Sequence, residues 1–151
     1  MLKYVHVLGA VVILGTGTGI AFFMLMAHLT RDADFIGRTA GVVVLADKLF
    51  TASAIVVQPI TGYLLAVELG ISLHEHWIAL SIALYVLAGM FWLPVVWMQV
   101  KMRDLAVDAA TSGSALPARY HRLFRLWLLF GFPGFGSVML IVWLMISKPS
   151  F

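Results

Sequence analysis

Four stretches of this chain run for about twenty residues with hardly a charge in them. They extend from Tyr4 to about Leu29, from Leu49 to Val67 with an apolar extension over Thr39 to Ala46, from Trp77 to Val100, and from Leu126 to Ser147. A hydrocarbon core of about 30 Å is crossed by roughly 20 apolar residues in a helix. Inside it no water is available to the backbone, so each stretch must satisfy its own hydrogen bonds and be helical. The expectation is an all-α, four-transmembrane-helix bundle with spans at about 4–29, 40–68, 77–101 and 122–147. These make a single integral membrane domain over residues 1–151.

Composition agrees. Hydrophobic residues make up 62% of the chain and charged ones 11%, where soluble domains run nearer 45–50% and about 25%. The first apolar run is too long for a signal peptide and has no small-residue cleavage site before Arg31, so it is expected to be retained. Without cysteine there is no disulfide, thiolate metal site or covalent c-type haem attachment. The net charge of +3 comes from basic residues set beside apolar runs, which suits anionic lipid headgroups and argues against nucleic acid.

An even number of spans puts both termini on one side, together with the 68–76 loop, and that side carries only Lys3 and Lys148. The other side carries Arg31, Arg38, Lys48, Lys101, Arg103, Arg119, Arg122 and Arg125. The positive-inside rule then places both termini outside, on the periplasmic face of a bacterial inner membrane. Residues 104–118 alone read as a soluble linker, and Gly15 with Gly19 forms a small-xxx-small pair suited to close helix approach.

Polar groups are costly in a membrane, which makes them the candidates for chemistry. His6 sits about one turn inside the outer end of the first helix, where an imidazole can ligate haem iron or hydrogen-bond at the interface. His74 and His76 flank Glu75 at the same expected depth. With His6 they make an alternative metal set, of copper or zinc character. His28 lies 22 residues after His6, ~33 Å along a helix, so the two cannot share one iron. Asp47 and Lys48 are expected to mark the inner boundary of the second span, with Asp47 pairing to an arginine; a proton-relay role for Asp47 is the alternative, for which the sequence offers no partner. Pro59, Pro94 and Pro133 interrupt three spans, and Gln58 is placed to satisfy a carbonyl that Pro59 frees.

The chain resembles a bacterial family of integral membrane proteins of unknown function. The resemblance rests on Leu2-Lys3-Tyr4-Val5-His6-Val7-Leu8-Gly9, Ala46-Asp47-Lys48-Leu49-Phe50-Thr51 and Gln58-Pro59-Ile60-Thr61-Gly62. It continues in Trp92-Leu93-Pro94-Val95-Val96-Trp97, Leu116-Pro117-Ala118-Arg119-Tyr120 and Lys148-Pro149. More distantly it is similar to HemJ-type protoporphyrinogen oxidases, four-helix membrane proteins that bind haem b. Their opening lysine-x-x-histidine and later histidine match Lys3, His6 and His28. Their last helix is echoed by Phe124-Arg125, Pro133 and Lys148-Pro149-Ser150-Phe151. Copper-resistance membrane proteins of the CopD type share a similar first helix. The resemblance implies haem b with His6 as an axial ligand. Ser81 stands where the HemJ pattern has its second, lysine ligand, leaving His76 as the replacement candidate.

Three readings stand at this point. The first is a redox-linked protein holding haem b, or a related porphyrin, through His6 and His76. The second is a metal-handling or transport protein using His6, His74 and His76 without haem. The third is an accessory membrane subunit with no chemistry, assembled as a homo-oligomer or on a membrane partner. Whether the chain is an enzyme is left open.

Overall fold

The computed structural model describes residues 1–149. Helix α1 spans Leu2–Thr30, α2 Ala33–Ala46, α3 Ala52–Glu68, α4 His76–Ser112 and α5 Ala118–Ser147. A π-helical turn, Asp47–Thr51, joins α2 to α3, so that Ala33–Glu68 reads through as one membrane-length helix. Four helical runs are thus long and apolar enough to span a bilayer, and no strand occurs among the described residues. Each expected span falls inside one run.

The links are short and locally encoded. Between α1 and α2, Arg31 takes a left-handed conformation (φ 58°), and the Asp32 carboxylate accepts the backbone N–H of Asp34 and Phe35 at 2.9 and 3.3 Å. The linker expected over 104–118 shrinks to 113–117, because α4 continues to Ser112. Gly113 ends it at φ 64°, and the Ser114 N–H reaches back to the Ala109 carbonyl at 3.0 Å. At the opposite end Lys148 lies 5.7 Å from the centre of the Trp77 ring, which ties the close of α5 to the start of α4. The bundle therefore has a terminal end and a basic end, the latter holding Arg31, Arg38, Lys101, Arg103 and the arginines of early α5.

Side chains pack most densely toward the basic end. Met24 and Ala27 of α1, Ile36 and Ala40 of α2, Met102 and Ala106 of α4, and Tyr120 of α5 are all fully buried there. Gly37 lets α2 approach α4: a Cβ on it would lie 3.0 Å from Val107 Cγ2 and 3.4 Å from the Val107 backbone nitrogen. Toward the terminal end α1 lies along α3 and α5 along α4, and the two pairs diverge. A groove of about 630 Å³ opens between α1 and α5, lined by Val11, Leu14, Gly15, Thr18, Gly19, Phe135 and Met139. Gly15 and Gly19 thus face open space and mediate no close helix contact, contrary to the small-xxx-small expectation. The perimeter is apolar, with Val42, Phe132 and Ile146 each more than two-thirds exposed, as a lipid-facing surface requires.

Pro59 has no N–H, so the Ile55 carbonyl one turn earlier loses its helical partner. The Tyr85 hydroxyl of α4 donates to that carbonyl. Gln58, expected to do this, is engaged elsewhere. Tyr85→Phe is expected to strand the carbonyl and destabilise the bundle by about 1–3 kcal/mol, read from the detergent-unfolding midpoint. An unchanged midpoint would mean that Ile55 has another partner.

Candidate functional site

Polar side chains occur at three depths of the bundle. The first level lies at the terminal end, between α1 and α3. His6 is half-buried there, with its Nδ1 2.8 Å from Thr61 Oγ1. The single hydroxyl hydrogen of Thr61 is directed to helix carbonyls, Val57 at 2.8 Å and Gln58 at 3.2 Å. With its hydrogen on a carbonyl the hydroxyl accepts from His6 Nδ1–H; in the other tautomer it can donate to Nδ1. Gln58 lies on the other side of the same ring. With its NH₂ turned toward α1, it donates to the His6 carbonyl at 2.9 Å and comes within 3.1 Å of Nδ1, while its oxygen accepts the Ala10 N–H at 3.0 Å. The imidazole is held in either tautomer, donating to Thr61 or accepting from Gln58.

Two glycines make room for this contact. A Cβ on Gly9 would sit 3.0 Å from the end of the Gln58 amide, and one on Gly62 would sit 3.2 Å from His6 Cε1. Thr61 and Gln58 were not singled out with His6 in the sequence. Their three-residue spacing places them on one helix face, but the antiparallel register that sets that face against His6 is tertiary information.

The remaining terminal-end candidates lie at the start of α4 and in the loop before it. His76 is the first residue of α4 and is exposed; His74 is exposed in the preceding loop, where its N–H donates to Ser72 Oγ at 3.2 Å. No group of three or more His, Cys, Asp or Glu residues is placed to hold a metal ion among the described residues. Ser81 is buried, and its hydroxyl already donates to the Trp77 carbonyl at 2.7 Å.

The second level is the π-helical turn. Asp47 is 3% exposed, and its Oδ1 accepts the Trp92 indole N–H at 3.3 Å. The expected arginine partner is absent: the ion pairs among the described residues are Arg38–Asp34 and Arg103–Asp104, both toward the basic end. The level of Asp47 in the bundle follows from its contact with Trp92. Trp92, level with it, lies sixteen residues from the start of α4 and nine before Lys101, so ~24 Å and ~13 Å along the helix respectively. Lys48, next in sequence, points outward and is exposed.

The third level is at the basic end. The His28 ring stacks on Phe124 at a centroid distance of 3.7 Å and meets His121 edge-on at 5.8 Å. Its Nδ1 lies 3.3 Å from the Tyr120 hydroxyl. His28, Leu29, Arg31 and His121 border a cavity of about 380 Å³. His28 and His6 lie near opposite ends of α1, as their spacing required.

Residues 1–149 match the family model described as "Predicted integral membrane protein (DUF2269)". The chain belongs to that family. No curated protein and no solved structure matches it. For a DUF2269 member, the match spans every helix and all three polar levels. The last two residues of the Lys148-Pro149-Ser150-Phe151 ending lie outside the described residues.

Proposed function

We propose that this DUF2269 chain is a multi-pass protein of the bacterial cytoplasmic membrane, both termini outside, that binds haem b through His6 in a redox-linked role. One observation carries the reading: the 2.8 Å contact of His6 Nδ1 with a Thr61 hydroxyl that has a helix carbonyl within reach of its own hydrogen, and so can accept from Nδ1–H. A metal-ligating histidine characteristically donates its other ring nitrogen to such an acceptor, which fixes the tautomer and orients the ring. His6 in that state keeps a bare Nε2 lone pair, the atom that binds iron. When bound, haem b would supply one-electron chemistry. The chain's own part is to hold and orient one axial imidazole, with Gly62 giving the ring its room.

The layout of Lys3, His6 and His28, similar to that of the HemJ-type oxidases and in part to the CopD type, supports the same reading. Ser81 cannot serve as a second ligand, so His76, at the same end of the bundle, is the candidate for that position. The gathering of arginines and lysines at one end supports the orientation.

A second reading has its own observation. Gln58 bridges the His6 carbonyl and the Ala10 N–H, a lock between α1 and α3 that would serve an accessory subunit without haem. The optical spectrum of protein purified from a haem-replete host separates the two. A Soret band that shifts on dithionite reduction is expected. A colourless, folded preparation would sink the haem reading and leave the lock.

A further inference from the structure

We infer that Asp47 is a proton-binding site inside the membrane, a buried carboxyl that takes up and releases a proton. This goes beyond the haem reading and does not depend on it.

The chain has only one carboxyl in its apolar interior. Over residues 7–27, 39–67, 77–100 and 126–147 the acidic residues reduce to Asp47 alone. Its surroundings offer no countercharge. The part of α1 between His6 and His28 has no titratable group, nor does α2 from Thr39 to Ala46 or α3 from Ala52 to Gly62. On α4 from Trp77 to Val100 the only one is Tyr85, whose hydroxyl is taken by the Ile55 carbonyl. Lys48 is on the exposed side of the turn. An unpaired carboxylate in such a place costs several kcal/mol, whereas the acid form costs far less. The resting group is therefore COOH, and the reaction is COO⁻ plus H⁺ giving COOH, with no other reactant.

The π-helical turn prepares the site. Buried hydroxyls in these helices cap the carbonyl four residues back: Thr61 on Val57, Ser81 on Trp77, Ser137 on Pro133. Thr51 does not. Its corresponding carbonyl is that of Asp47, which the wider π turn gives instead to the Ala52 N–H. Thr51 Oγ1 is left buried without a helix carbonyl and faces the Asp47 carboxyl one turn away, whose Oδ2 has no other partner among the described residues. Two further buried polar atoms lack partners among the described residues, Gln99 Oε1 and Trp127 Nε1. Gln99 is seven residues beyond Trp92, on the same face of α4 and ~10 Å nearer the basic end. Trp127 is level with it, since Phe91 packs on Gly134 in the antiparallel α4–α5 pair. Gln99 and Trp127 thus lie on the basic side of Asp47, and Thr51 one turn to its terminal side.

Infrared spectroscopy of the full chain in lipid bilayers tests this. At neutral pH a protonated-carboxyl C=O band is expected, shifting in D₂O and missing in Asp47→Asn. Trp92→Phe removes the donor to Oδ1 and should move the band to higher frequency. This keeps the test available if Asp47→Asn does not accumulate. If neither variant alters any carboxyl band at neutral pH, Asp47 is ionised and the inference fails. A band that Asp47→Asn removes but that never shifts in D₂O marks a sealed structural acid, and overturns it equally.

Discussion

Tyr120→Ala is expected to be the most destabilising single change at the basic end, costing about 3–5 kcal/mol. Tyr120 is fully buried where α5 meets the other helices, stacked near His28 and Phe124 and with its hydroxyl 3.3 Å from His28 Nδ1. Helices in lipid gain little by hiding apolar surface from one another, since the alternative neighbour is equally apolar. Their association depends on close packing, and a void forfeits the contacts of every atom around it. Removing a ring from this cluster therefore acts through lost contact more than through changed solvation. Tyr120→Phe keeps the ring and gives up one long hydrogen bond, so it should cost no more than about 1 kcal/mol. Unfolding of purified protein in mixed detergent reads both. Similar midpoints for the two variants would mean that the hydroxyl, not the ring, holds the cluster.

The fold was legible because solvent wrote it. Four uncharged runs can only be helices in hydrocarbon, and the placement of Arg31, Arg38, Lys101 and Arg125 separated the two ends of the bundle before any contact was known. His6 and His28 were rightly kept apart by helix rise alone. What the sequence concealed was pairing between helices. Gly15 and Gly19 carry the expected small-residue spacing yet face an open groove, while Gly9, Gly37 and Gly62 make the close approaches. Whether a glycine is needed depends on what lies opposite, and that depends on the relative rotation of two helices. Gln58 was assigned to the carbonyl freed by Pro59 because the two adjoin in the chain. Tyr85, thirty residues beyond Ile55, reaches that carbonyl instead, and Gln58 turns to His6. Asp47 was read as a boundary charge from its position before an apolar run. The π-helical turn rotates it inward against Trp92, and a one-residue widening of a helix leaves no mark on hydropathy.

His6→Ala should abolish haem, lowering the occupancy read from the Soret band by at least about tenfold, since the second-shell partners of a ligating histidine alone are worth 10–100-fold. The same band distinguishes ligation from helix locking when the two neighbours of His6 are changed separately. Thr61→Val removes the acceptor for Nδ1–H while keeping shape, so haem affinity should fall by about 10–100-fold with the fold intact. Gln58→Leu removes the group that favours the opposite tautomer, the one with its proton on Nε2 and no lone pair for iron. Haem occupancy should then hold or rise, while the α1–α3 contact loses the bridge from the His6 carbonyl to the Ala10 N–H. The unfolding midpoint should fall with it. If His6 served only the lock, the order would reverse: Gln58→Leu would be the damaging change, Thr61→Val the mild one, and no variant would alter the visible spectrum. The two neighbours stand 2.8 and 3.1 Å from one nitrogen and ask opposite protonation states of it. Which of them controls the ring decides whether His6 can bind iron.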